Sequence, residues 1–302
     1  MFILIKQKYV EMSAKKCKTI INHMKDLTIL FKSCLDILRN QEHLTGDKAL
    51  RTLSYLLILR LIEPLYDNEI EIDKYDYEID DDEELNNLLK YVRFSNLLEL
   101  DMENIPLIMQ CLWDDILSVH PKTKDIYVQN GKFGIKKQKT YEVLINNINN
   151  FNFEKIDADI QGEAYEEVIK DTMTGRILGQ YFTPPEIKQL VVQKINPQIK
   201  ANGKIETIFD PAMGTGGFLI TALRHIIKQS KGENIEIDWS MIRDNGLCGR
   251  EVEYDTYQLA RSNMLISTGH TFDKLEHTDS IYNPIVNQYD IVLTNPPFGI
   301  KG

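Results

Sequence analysis

The chain has 302 residues, enough for roughly two domains with a real core, and its 43% hydrophobic and 26% charged content reads as globular rather than disordered. No apolar run approaches the ~18 residues of a membrane-spanning helix, and the opening M-F-I-L-I-K-Q-K is too short for a secretory signal. The net charge of −10 is concentrated in residues 67–84, which hold eleven acids and one lysine; the remainder carries 34 basic and 34 acidic residues, so charge argues neither for nor against nucleic acid.

Residues 15 to about 66 read as helices. Apolar positions 49, 50, 53, 56, 57, 61 and 62 give one buried face, with 58 and 59 widening the stripe. Thr45 or Asp47 offers an N-cap and Pro64 a stop. Met12 is an alternative start to Met1. The acidic run 67–84 reads as a solvated loop or helix face. Residues 84–120 again look helical. Residues 121–140 carry six lysines with Tyr127 and Phe133 interleaved. That stretch suits either a phosphate backbone or a plain solvated loop. The four cysteines form no C-x-x-C pair and the histidines have no metal-ligand spacing. This predicts reduced thiols, a cytoplasmic location and no metal site.

From about residue 160 the pattern changes. G-Q-Y-F-T-P-P-E-I (179–187) opens a helix at Pro184 or Pro185. K-I-E-T-I-F-D (204–210) reads as a strand, then a helix over about 217–231, a second strand at 246–252, and a helix over 255–269 with Gly269 as its C-cap. Residues 274–280 make a weak third strand and 289–294 a strong fourth. Alternating strands and helices predict a parallel, doubly wound sheet.

D-P-A-M-G-T-G-G-F-L (210–219) lies between a strand and a helix. Gly214, Gly216 and Gly217 permit a tight turn and close approach to a ligand, and Asp210 ends the strand. Leu219 breaks the dinucleotide fingerprint and no Lys-Ser/Thr follows, so this is neither a Rossmann phosphate turn nor a P-loop. Alone, it is equally an ordinary loop. With Glu251 at the end of the next strand, placed for both hydroxyls of a ribose, it suits a nucleoside lacking phosphate. Downstream, D-I-V-L-T-N-P-P-F-G (290–299) ends a strand at Asn295. The Asn carbonyl, a backbone carbonyl near Pro296 and the flat ring of Phe298 describe a pocket for a planar base with an exocyclic amine.

N-P-P-F with D-P-A-M-G-T-G-G-F-L upstream resembles the amino-group methyltransferases that use S-adenosylmethionine. With G-Q-Y-F-T-P-P, G-R-E-V-E-Y-D-T-Y-Q-L-A-R-S-N-M-L-I-S-T-G (249–269) and the helical region around L-T-G-D-K-A-L, the chain is similar to the modification subunit of type I restriction–modification systems. The resemblance implies an α-helical N-terminal domain (1–155) followed by an α/β Rossmann-like methyltransferase domain (156–302). It implies Phe182 and Thr183 on the cofactor's methionine side; Asp210, Gly214 and Gly216 along its amino acid and sugar; Glu251 on the ribose; and Asp279 at the adenine. Asn295, Pro296, Pro297 and Phe298 would hold a target adenine flipped out of duplex DNA. The implied partners are duplex DNA, a specificity subunit and a restriction subunit. Met213 stands where relatives often have Cys. The resemblance also implies further strands beyond N-P-P-F, so the chain is expected to be a truncated or split product completed by another polypeptide. Two other readings stay open: a non-catalytic binding remnant, and a methyltransferase acting on RNA or on protein glutamine.

Overall fold

The computed structural model describes residues 2–63, 77–79, 81–121, 123–173, 183–285 and 289–297, with side chains from residue 19 onward except residue 102. Pro64 and most of the acidic run lie outside these residues, as do Phe182 and Phe298.

The N-terminal half is helical. α1 (Phe2–Glu42) and α2 (Gly46–Ile62) are joined by a short link, with Thr45 in extended backbone at the N-cap position of α2. Thr45 makes no capping bond through its side chain, and Asp47 sits in the first turn instead. The single buried face expected of α2 is too narrow. The helix is buried nearly all round, Ile58 and Leu59 included, whereas Leu61 is only partly covered. A helix enclosed this way cannot show a clean stripe in its sequence.

The end of the acidic run has a structural use. Asp81 caps α3 (Asp82–Val92), its carboxylate accepting from the N–H groups of Glu83 and Glu84 at 2.9 and 3.2 Å. Three acids in the first turn then face the positive end of the helix dipole. α4 (Ile105–Cys111) continues into a π-turn, Leu112–Leu117, and α5 (Gln138–Asn149) follows.

Between them lies the lysine-rich stretch, and here the burial of its two aromatics removes one of the two alternatives, an aromatic surface for a phosphate backbone and its bases. Tyr127 and Phe133 are fully buried, each about 5.0 Å from the Trp113 ring in edge-on packing. The Tyr127 hydroxyl donates to the Tyr55 carbonyl at 2.8 Å. These rings anchor the helical core and are not available to stack on bases.

α6 (Ala158–Met173) packs against α1 and against α10 (Tyr254–Thr268). α10 is shared between the two cores. Leu259, Leu265 and Ile266 belong to the helical core; Ala260 and Met264 belong to the core around the sheet. The α6–α10 crossing is tight at Gly162, where an added Cβ would lie 2.6 Å from the Ser267 backbone. Backbone cannot yield as a flexible side chain can. Gly162→Ala is therefore expected to destabilise the chain by about 1–3 kcal/mol, read as a lowered urea midpoint. An unchanged midpoint would mean that the two helices part freely.

The second half contains α7 (Pro185–Ile195), β1 (Ile208–Asp210), α8 (Gly217–Glu233), the one-turn α9 (Trp239–Met241), β2 (Leu247–Glu251), β3 (Leu275–His277) and β4 (Ile291–Val292). The four strands form one parallel sheet in the order β3-β2-β1-β4. α8 and α10 pack on it, and burial on both faces explains the continuous apolar character of I-F-D and L-C-G.

The expected strand at 204–210 is shorter than its apolar run. Ile205 pairs instead with Ile199 in an isolated antiparallel bridge. Among the described residues, β4 pairs only with β1 and stands last in the strand order. No described helix is long and apolar enough to cross a membrane.

Candidate functional site

The carboxyl ends of β1, β2 and β4 meet at one edge of the sheet, where open α/β folds bind ligands. Pro184 and Pro185 occupy the N-cap and first position of α7, as expected of a residue with fixed φ and no N–H. This sets Thr183 at the mouth of the site.

The turn after β1 is held from both sides. The Met213 N–H donates to the Arg250 carbonyl at 2.9 Å, and Asn263 of α10 donates to the Thr215 carbonyl at 2.9 Å. Met213 is buried, with its sulfur where a Cβ on Gly249 would lie, so the glycine in β2 makes room for it. Gly214 and Gly216 both have positive φ, at 55° and 81°. A Cβ on Gly214 would meet nothing within 4 Å, so the turn exposes bare backbone to open space. That is the form of a cradle for a ligand approaching closely.

Glu251 ends β2. One carboxylate oxygen accepts from the Gly214 N–H at 3.1 Å, the other from the Glu253 N–H at 2.9 Å. Each oxygen keeps a lone pair for another donor. Burial raises the pKa of this carboxyl, and the backbone N–H groups of Glu253, Gly214 and Val252 oppose the rise.

Asp210 lies beneath the turn and is 1% exposed. Its carboxylate accepts from the Ala212 N–H at 3.1 Å. Burial pushes its pKa up to about 7; the Ala212 N–H and the Thr294 hydroxyl act against the shift, and the charge of Glu251 adds to it. Asp210 thus touches both the Gly-rich turn and the residue before Asn295.

Asp279 begins the turn after β3. One carboxylate oxygen accepts from the N–H groups of Ile281 and Tyr282, at 2.7 and 3.2 Å. The turn is tethered to the site: Ser280 donates to the Pro211 carbonyl at 2.7 Å, and the Thr278 N–H to the Glu251 carbonyl at 3.0 Å.

Asn295 is half-buried beyond β4, with Pro296 and Pro297 exposed after it. The Asn295 side-chain amide donates to the Thr183 hydroxyl at 2.9 Å. Thr183, Asp210, Gly214, Gly216, Glu251, Asp279, Asn295, Pro296 and Pro297 therefore gather at one edge of the sheet.

Beside the site, a cavity of about 920 Å³ lies between α6, α7 and α8, bordered by Thr183, Lys188, Thr215, Glu166 and Arg224. Buried Lys188 pairs with Glu166 at 3.5 Å, and Arg224 reaches the same carboxylate at 3.8 Å. Lys188 lies over the start of α8, where a Cβ on Gly217 would come within 2.7 Å of its ammonium.

Sequence reasoning missed several residues here. Val252, Ile281 and Tyr282 directly follow the site acids or lie within two or three residues of them, and are 60%, 86% and 85% exposed. Their signal was an apolar residue just after an acid, at the end of β2 for Val252 and in the turn after β3 for Ile281 and Tyr282, where solvent-facing polar residues are the usual choice. Thr294 and Lys188 carried no local signal.

Residues 156–301 match the model of the N-6 DNA Methylase family.

The likeness extends beyond that region. The chain is 24% identical over 290 residues to the Escherichia coli type I restriction enzyme EcoEI methylase subunit, covering 90% of this chain and 56% of that one. Among solved structures, it resembles the type I restriction–modification system methyltransferase subunit from Streptococcus thermophilus. There the TM-score is 0.58 at 18% identity, over 91% of this chain and 64% of the other. A protein described as a class I S-adenosylmethionine-dependent methyltransferase from Listeria monocytogenes gives a TM-score of 0.52 at 14% identity, over 92% of this chain and 60% of that one. The chain shares the fold of these structures, a helical N-terminal part before an α/β part with a parallel sheet, and it resembles the methylase subunits of type I systems. It spans little more than half the length of the EcoEI subunit.

Proposed function

We propose that this chain carries the cofactor- and adenine-binding parts of an S-adenosylmethionine-dependent, site-specific DNA adenine-N6 methyltransferase, the modification subunit of a type I restriction–modification system. The observation that carries the reading is the joining of Glu251 to the Gly214 backbone at 3.1 Å, on the same sheet edge as Asn295.

The residues fit the cofactor. The open cradle at Gly214 admits a ligand against bare backbone. Glu251 has both oxygens oriented and a lone pair left on each for the two ribose hydroxyls. The second oxygen of Asp279 suits the amino group of adenine, and the exposed side chains of Val252 and Ile281 offer apolar cover to its ring. Asp210 and Gly216 would border the amino-acid end, and Thr183, with Phe182 from outside the described residues, would line the methionine side. The bound cofactor supplies an electrophilic methyl group.

Asn295 and the Pro296 carbonyl would accept from the exocyclic amine of a flipped adenine, and Phe298 would stack on its ring. Two acceptors on one amine draw electron density onto its nitrogen and aim its lone pair. The rate gain comes from position and preorganised dipoles, with no covalent bond to the protein. Duplex DNA, a specificity subunit and a restriction subunit are the partners that follow.

The test is calorimetric titration of the folded chain with S-adenosylmethionine, then transfer of labelled methyl to duplex DNA, RNA and protein. Micromolar binding and label on adenine N6 are expected. Label on RNA or on protein glutamine would remove the DNA reading. A folded chain that does not bind the cofactor would be a binding module instead.

A further inference from the structure

The bond between Asn295 and Thr183 bears on which way the catalytic amide faces. It joins residues 112 positions apart, one just beyond β4 and the other just before α7. An Asn side chain has one oxygen that accepts and one nitrogen that donates. Rotating the amide by half a turn exchanges them with little change of shape.

The two orientations are not equivalent chemically. The amine of a target base meets Asn295 as a donor. Only Oδ1 can receive it; Nδ2 would set donor against donor. Nδ2 must then point away from the base and needs its own acceptor. Thr183 Oγ1 stands 2.9 Å from Nδ2. A threonine hydroxyl has two lone pairs and can fill that need while its proton turns elsewhere.

We propose that Thr183 is a positioning residue: its hydroxyl accepts from Asn295 Nδ2 and so holds Oδ1 toward the target amine. This rests on the function proposed above and adds a role for Thr183 distinct from cofactor binding. Asn295 is half-buried and follows a strand of only two residues, and among the described residues its side-chain amide is bonded to Thr183. Pro296 and Pro297 have no N–H with which to tie it down.

The test joins a spectroscopic and a kinetic readout. In 15N-labelled protein, the Asn295 side-chain amide is assigned as the pair lost in Asn295→Asp. Thr183→Val is nearly isosteric but cannot accept, and is expected to shift that pair; Thr183→Ser restores it. For methyl transfer to duplex DNA, Thr183→Val should lower kcat about tenfold, the effect of one lost hydrogen bond. Thr183 also stands on the proposed cofactor side, so cofactor affinity is measured in parallel, and the loss in kcat should exceed the loss in affinity. Adding Thr183→Val to Asn295→Ala should cost nothing further, because the residue that it positions is gone. Thr183→Ala serves if the valine variant does not fold.

An unmoved Asn295 amide in a folded Thr183→Val protein would overturn the proposal. So would a tenfold loss of cofactor affinity with that amide unmoved, or fully additive losses in the double variant. A wild type that transfers no methyl, yet whose Asn295 amide still responds to Thr183, would sink the functional reading and leave the positioning contact standing.

Discussion

Glu251→Ala is expected to weaken S-adenosylmethionine binding at least ~100-fold, measured by calorimetry on the folded chain. Two charge-assisted hydrogen bonds to ribose hydroxyls would be lost, at ~1.5–3 kcal/mol each. There is also a cost within the protein. The carboxylate receives the N–H groups of Gly214 and Glu253, so removing it leaves two backbone donors without their acceptor and loosens the turn that forms the cradle. Glu251→Gln separates these effects. A glutamine keeps one acceptor oxygen and can serve one of the two N–H groups, so its loss should fall between wild type and alanine. A change of less than fivefold in both variants would show that Glu251 is not the ribose acceptor. The pKa of Glu251 is raised by burial, so affinity should also strengthen as pH rises through that value and the carboxylate forms.

Much of this site was legible in the sequence because its chemistry sits at strand ends. Asp210 and Glu251 end β1 and β2, and Asn295 lies three residues beyond β4; residues at or just past the carboxyl ends of parallel strands are placed at that edge by the fold itself. The lengths of the strands were less legible. I-E-T-I-F-D has the composition of a longer strand, yet only Ile208–Asp210 joins the sheet, because partners at Leu247–Gly249 and Ile291–Val292 reach no further, and Ile205 bridges Ile199 instead. Extent is set by neighbours distant in sequence, not by local propensity.

The same limit hid the use of Tyr127 and Phe133. Lysines around them suggested a basic, aromatic surface, but Trp113 and Tyr55 draw both rings inward. Lysine can leave its charge in solvent while its neighbours are buried, so interleaving alone does not report which way a ring faces. Contacts such as Asn295 to Thr183 and Thr294 to Asp210 join segments about 80 to 110 residues apart and have no local signature at all.

Asp210 gives the last prediction, and its sign follows from burial. An unfolded aspartate titrates near ~3.9; in the folded chain the value is pushed up to about 7 by loss of solvent. Between those two values the folded chain holds a proton that the unfolded chain has released. Stability therefore falls as pH rises across this window, by about 4 kcal/mol if the full difference is realised. Asp210→Asn has the same shape. Its oxygen can accept from the Ala212 N–H, its nitrogen can donate to the Thr294 hydroxyl, and it brings no charge near Glu251. The variant should gain little at pH 4 and be more stable than wild type above pH 7, by up to about 4 kcal/mol in urea unfolding. Comparing the two proteins at each pH isolates this carboxyl from others that titrate alongside it. An equal difference at pH 5 and pH 8.5 would mean that Asp210 is not held against its own ionisation. A carboxylate kept at such a cost is usually retained for a ligand. The stabilised variant is accordingly expected to bind S-adenosylmethionine more weakly, since the negative charge that costs the fold stability is the one that would face the cofactor's cationic amino-acid end.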